Sequence, residues 1–61
     1  MPAEILEILE VENGHMTGEW SVSRQGQWFY VEFRDRSGDV CNLMRFRRES
    51  DALRAFNENA W

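Results

Sequence analysis

Few side chains in this sequence can act on another molecule, and the informative ones alternate. Along "WFYVEFRDR", an extended chain puts Trp28, Tyr30, Glu32, Arg34 and Arg36 on one face and Phe29, Val31 and Phe33 on the other. Arg45 and Arg47 alternate in the same way in "NLMRFRR", with Leu43 two residues before Arg45. Trp, Tyr and Arg dominate interface hot spots, and the guanidinium stacks on aromatic rings or forks onto carboxylates and phosphates. The chemistry on offer is recognition, carried by Trp28, Tyr30, Arg34, Leu43, Arg45 and Arg47.

Catalysis has much less to build on. His15 is the single histidine and follows the Asn13-Gly14 turn signal, where a solvated loop residue is expected rather than a general base. Glu10, Glu12 and Glu19 would crowd near it in a hairpin, but carboxylates around a turn are ordinarily solvated. No nucleophile with a neighbouring base can be assembled. Cys41 is the only cysteine, which rules out an intramolecular disulfide, and its expected role is a small filler in mid-strand on the outer face. No Cys/His cluster has the spacing of a zinc site, and the glycines stand singly in turns rather than in a phosphate-cradling loop. Neither enzyme, metal nor cofactor is expected.

These residues need elements to hold them. "NG" at 13–14, "QG" at 25–26 and "SG" at 37–38 separate strand-like runs, and short Gly-containing turns between such runs are strong hairpin signals. Strands are predicted over 18–24, 27–35 and 40–47. A two-residue turn at Gln25-Gly26 sets Val22 opposite Phe29 and Trp20 opposite Val31; one at Ser37-Gly38 sets Val31 opposite Met44 and Phe29 opposite Phe46. Both turns nominate the same inward face: Trp20, Val22, Phe29, Val31, Phe33, Val40, Met44 and Phe46, with Asn42 the polar intruder.

A helix over 50–60 should cover that face, with Ser50 as N-cap, Asp51 at the positive end of the helix dipole, and Leu53, Phe56 and Ala60 on one stripe. Residues 4–12 are ambiguous, because their apolar residues repeat every third position. A strand places Ile5, Leu9 and Val11 inward with Glu7 among them and sends Leu6 and Ile8 outward; a helix would start well from Pro2 and Glu4. The strand is the favoured reading. The whole, 1–61, is one α+β domain: a three- or four-stranded antiparallel meander with a C-terminal helix on one face.

Composition agrees with a folded chain. It is 43% hydrophobic and 30% charged, with eleven acidic against seven basic residues, every basic one an Arg. Sixty-one residues lie near the lower limit for folding alone, which favours self-association. Apolar runs are too short to span a bilayer and the N-terminus is acidic where a signal peptide is basic, so a cytoplasmic location is expected.

An antiparallel sheet with one wet face should show polar residues at alternate positions throughout. Trp28, Tyr30 and Leu43 break that rule. Stacking of Arg47 on Trp28 and Arg45 on Tyr30 could account for the aromatics internally, at about 0.5–1 kcal/mol each. The functional expectation is a docking face, used for a homodimer or for another protein, as an adaptor or inhibitor of a larger bacterial or phage protein. The alternative is nucleic-acid binding through the same face, a layout also found in small sheet-plus-helix DNA-binding domains. The acidic balance disfavours it, because phosphate contacts dominate such affinity. Alanine at Trp28 should spare the fold, whereas alanine at Phe29 should cost about 3–5 kcal/mol if Phe29 is core.

Overall fold

The computed structural model of the chain describes residues 4–13 and 16–60. The described residues form four strands and one helix: β1 (Glu4–Asn13), β2 (Met16–Gln25), β3 (Trp28–Asp35), β4 (Val40–Phe46) and α1 (Glu49–Ala60). The strands make an antiparallel sheet in the order β1-β2-β3-β4, with α1 packed across one face, so the fold is α+β and the 4–12 segment is a strand. His15, Pro2 and Trp61 lie outside the described residues.

The β2–β3 hairpin slides two residues from the expected register. Gln25 pairs with Trp28, Val22 with Val31 and Trp20 with Phe33, so the turn residues are Gly26 and Gln27 rather than Gln25 and Gly26. The cause is local. Gly26 has φ +64°, and a two-residue turn that needs positive φ at its first central position puts glycine there. A slide of two preserves the alternation, so Trp20, Val22, Val31 and Phe33 remain on one face.

The β3–β4 hairpin keeps the expected pairs Tyr30/Arg45 and Val31/Met44, but its register shifts between Phe33/Asn42 and Arg34/Val40. Cys41 is the extra residue. The loop is correspondingly longer, closed by Gly38 N–H donating to the Asp35 carbonyl at 3.0 Å and Asp35 N–H donating to that of Asp39 at 2.9 Å. The shift sets Val40 opposite Arg34 and leaves it exposed, which corrects its assignment to the core.

A third shift explains the repeat of three in β1. Ile5 pairs with Ser23 and Glu7 with Val22, leaving Leu6 as the extra residue of a bulge. One inserted residue turns a spacing of three into a spacing of two for the faces. Leu6 and Leu9 therefore both pack against the core, with Val11, while Ile5 and Ile8 face outward. The expected inward Ile5 and outward Leu6 are exchanged.

The buried core is Trp20, Val22, Val31, Phe33, Ala52 and Phe56, with Phe29, Met44, Phe46 and Leu53 half-buried around it. Trp20 and Phe33, now cross-strand partners, meet as tilted rings with centroids 5.3 Å apart, a favourable aromatic arrangement. Asn42, opposite Phe33, is exposed and introduces no buried amide. Helix α1 starts one residue earlier than expected: Ala52 N–H bonds the Arg48 carbonyl at 3.2 Å, so Arg48 holds the cap position and Ser50 lies within the first turn. No helix among the described residues is long and apolar enough to cross a membrane.

Candidate functional site, the outer face of the sheet

The face turned away from α1 is built in rows across the four strands. Ile5, Ser23, Tyr30 and Arg45 form one row; Ile8, Ser21, Glu32 and Leu43 the next; Glu10, Glu19, Arg34 and Val40 the third. Trp28 and Arg47 stand beyond the first row. Ile5 and Ile8 are each 53% exposed and Leu43 59%, with Trp28 and Tyr30 half-buried among them. Scattered single apolar residues on a surface need no explanation, but here they share one sheet face.

Ser21 and Ser23, 8% and 2% exposed, are buried on this face, Ser23 between Ile5 and Tyr30 and Ser21 between Ile8 and Glu32. Sequence reasoning missed both serines and Ile5. The serines were legible as small residues alternating in β2, whereas Ile5 was hidden by the bulge.

Trp28, Arg45 and Arg47 come together. The Arg45 guanidinium carbon lies 4.0 Å from the centroid of the Trp28 ring and that of Arg47 lies 4.8 Å away. Trp28 thus takes both arginines, and the expected Arg45 stack on Tyr30 is replaced although the two are backbone partners. Arg34 is not part of this group. It lies six residues along β3, roughly 20 Å away at 3.3 Å per residue, held by the Gly38 carbonyl at 3.0 Å and Glu32 at 3.4 Å.

The charges on this face divide by strand. Outward positions of β1 and β2 carry Glu10, Glu12 and Glu19, while those of β3 and β4 carry Arg34 and Arg45 against Glu32. Glu10 and Glu19 are direct cross-strand partners, and like charges so placed destabilise a sheet. Only Glu12 of the three reaches a cation among the described residues, Arg36 at 3.8 Å. A cleft of about 310 Å³ lies at this end, with Glu10, Glu12 and Glu19 on one side and Arg34 and Arg36 on the other. Among the described residues no group of three or more His, Cys, Asp or Glu could hold a metal ion.

Cys41 does not serve as an apolar filler. As the extra residue of its bulge it turns its thiol to Asp35, donating to Oδ2 at 3.4 Å, and this bond to a carboxylate pushes the thiol pKa up. Asp35 organises the whole turn: Oδ1 accepts from the Ser37 hydroxyl at 2.6 Å and from the Ser37 and Asp39 amides at 3.0 Å each. These bonds, the Ser37 hydroxyl foremost, hold Asp35 below the ordinary carboxylate value. An acid that is stronger folded than unfolded stabilises the turn above its unfolded pKa, and that contribution disappears as pH falls through the lowered folded value. The Ser37 and Asp39 amide resonances should therefore titrate with a midpoint below that of an unstructured aspartate, and Asp35→Asn should abolish the transition. A midpoint at or above the ordinary value would contradict the turn geometry.

No family model matches the chain, and no match was found among curated proteins or solved structures.

Proposed function

We propose that the chain is a small non-enzymatic protein-binding domain, acting as an adaptor, an inhibitor or one half of a homodimer, and that it docks through the outer sheet face. The observation that carries this reading is the joint exposure of Ile5, Ile8 and Leu43 beside half-buried Trp28 and Tyr30 on the face opposite the helix. Burying a large aliphatic side chain contributes about 1.5–3 kcal/mol, so three left in water on one face constitute a reserve for association. Nucleic-acid binding fits less well. The Trp28 ring is already stacked by two guanidinium groups, and Glu10, Glu12 and Glu19 at the other end of the same face carry the charge sign of a phosphate backbone.

The test compares the native chain with the Ile8→Glu/Leu43→Glu double variant and with Asn57→Lys, a change on the exposed side of α1. Protein binding, to itself or to a captured partner, should be lost by at least tenfold in the double variant and kept in Asn57→Lys. Binding that ignores the double substitution overturns the proposal. So does oligonucleotide binding that weakens with salt while no protein is bound.

A further inference from the structure

We infer that the outer face takes an extended, acidic segment of another protein, laid along β4 with its carboxylates on Arg45 and Arg47 and an apolar side chain on Leu43. The inference rests on the docking role proposed above and adds to it the chemistry of the partner and its place on the sheet.

Charge selects the place. Among the described residues Arg24, Arg34 and Arg36 each reach a carboxylate, whereas Arg45 and Arg47 reach none. Both lie against Trp28 instead, at 4.0 and 4.8 Å from its ring centroid, so two like charges are held close together. A ring face attracts a guanidinium but supplies no counter-charge. A hollow of about 280 Å³ opens beside them, and its lining of Gln27, Trp28 and Arg47 offers hydrogen-bond donors and no carboxylate. The stack holds the guanidinium groups in place before a partner arrives, which lowers the ordering cost of binding. Bonds from guanidinium to carboxylate are among the stronger polar contacts available.

The two edges of the sheet differ accordingly. β1, at one edge, carries Glu4, Glu7, Glu10 and Glu12 and no basic residue. β4, at the other, has no acidic residue between Val40 and Phe46 and presents exposed Leu43 and Arg45. An edge strand turns alternate N–H and C=O groups away from its neighbour, and an extended segment bonds to them. Leu43 and Arg45 are about 7 Å apart along the strand, and Arg47 continues the alternation. The segment's pattern is therefore apolar, acidic, acidic at every second residue. A nucleic-acid backbone fits worse, because it carries charge at every step and past Arg45 would meet Leu43 and its cross-strand neighbour Glu32.

The probes are acetylated, amidated peptides in which threonine alternates with the recognised residues: TETETLT and its reverse TLTETET. Controls are the lysine version TKTKTLT and the proline version PEPEPLP, which cannot donate backbone bonds along an edge. Each is titrated at low salt into the native chain and followed by amide hydrogen exchange. At least one acidic threonine peptide should bind at least tenfold more tightly than either control, and should slow exchange in β4 but not in β1. Arg45→Gln/Arg47→Gln replaces exposed side chains only and should lower that affinity at least tenfold, whereas Arg54→Gln on α1 should leave it within about twofold. Equal binding of the lysine or proline version, or protection in β1, overturns the inference. So does an oligothymidylate that displaces the acidic peptide at equal concentration of charge, or β4 protection that grows with the chain's own concentration, which would make the occupant a phosphate chain or a second copy. Inert peptides overturn this inference alone if Ile8→Glu/Leu43→Glu still loses a captured protein; if that variant keeps it, the docking reading falls as well.

Discussion

Replacing Gly18 with alanine is expected to destabilise the protein by at least about 3 kcal/mol, more than most overpacking substitutions, because the obstacle is backbone rather than a side chain that can swing away. Gly18 pairs with Val11 on one side and Asp35 on the other, and Phe33 lies against it. A Cβ there would run into the carbonyl oxygen of Arg34 and stand 2.9 Å from both Asp35 Cα and Phe33 Cζ. Glycine within a strand commonly marks such a close approach. Relief would require β3 to move off β2 where Trp20 meets Phe33, at the centre of the core. Domains of this size hold stabilities of about 0.05–0.15 kcal/mol per residue, so the loss takes a large share of the total. Thermal unfolding followed by near-ultraviolet circular dichroism should show a midpoint lowered by more than about 12 °C, at roughly 4 °C or more per kcal/mol. A midpoint within about 2 °C of the native chain would mean that the strands are not as close as described.

Gly18 also shows where the sequence was readable and where it was not. Alternation in β3 identified the two faces, and because the β2–β3 register slid by two, Trp20, Val22, Val31 and Phe33 fell on the core side regardless. A period of two forgives an even error and no other. The odd shifts were the costly ones. The extra residue at Leu6 exchanged Leu6 with Ile5, and the one at Cys41 moved Val40 to the surface. Both bulges are backbone choices made by neighbouring strands, and residue type at the bulge does not announce them. The triplet repeat of β1 did carry the first, since Leu6–Leu9 and Ile5–Ile8 are each one residue longer than a strand allows. The Trp28/Arg45/Arg47 group was legible from alternation, whereas the choice of Trp28 over Tyr30 by Arg45 depends on side-chain reach that register does not fix.

Phe56→Ala should cost about 3–5 kcal/mol, the range for removing a buried aromatic ring. Phe56 is 5% exposed and, with Ala52, is the part of α1 that enters the core between the strands' apolar side chains. Leu53, Ala55 and Ala60 also pack against the core but are only half-buried. The helix is 12 residues long, a length at which isolated helices are marginal in water, and although Glu49 and Asp51 suit its positive end, no basic residue in its last turn offsets the negative end. Loss of the ring should therefore melt α1 rather than leave a cavity beneath it, and the helical signal at 222 nm should fall in the same transition as the strands. Phe29→Ala should cost less than the sequence alone suggested, because Phe29 is half-buried at the rim. Outer-face changes belong to a third class: Ile8→Glu and Leu43→Glu touch exposed side chains and should each stay within about 0.5 kcal/mol of the native chain. Urea titrations of the four variants should rank Phe56→Ala below Phe29→Ala, and both below the two outer-face variants. If Ile8→Glu or Leu43→Glu unfolds the chain as Phe56→Ala does at a concentration where the chain is monomeric, the outer face is part of the monomer's own core and no partner is needed to explain it.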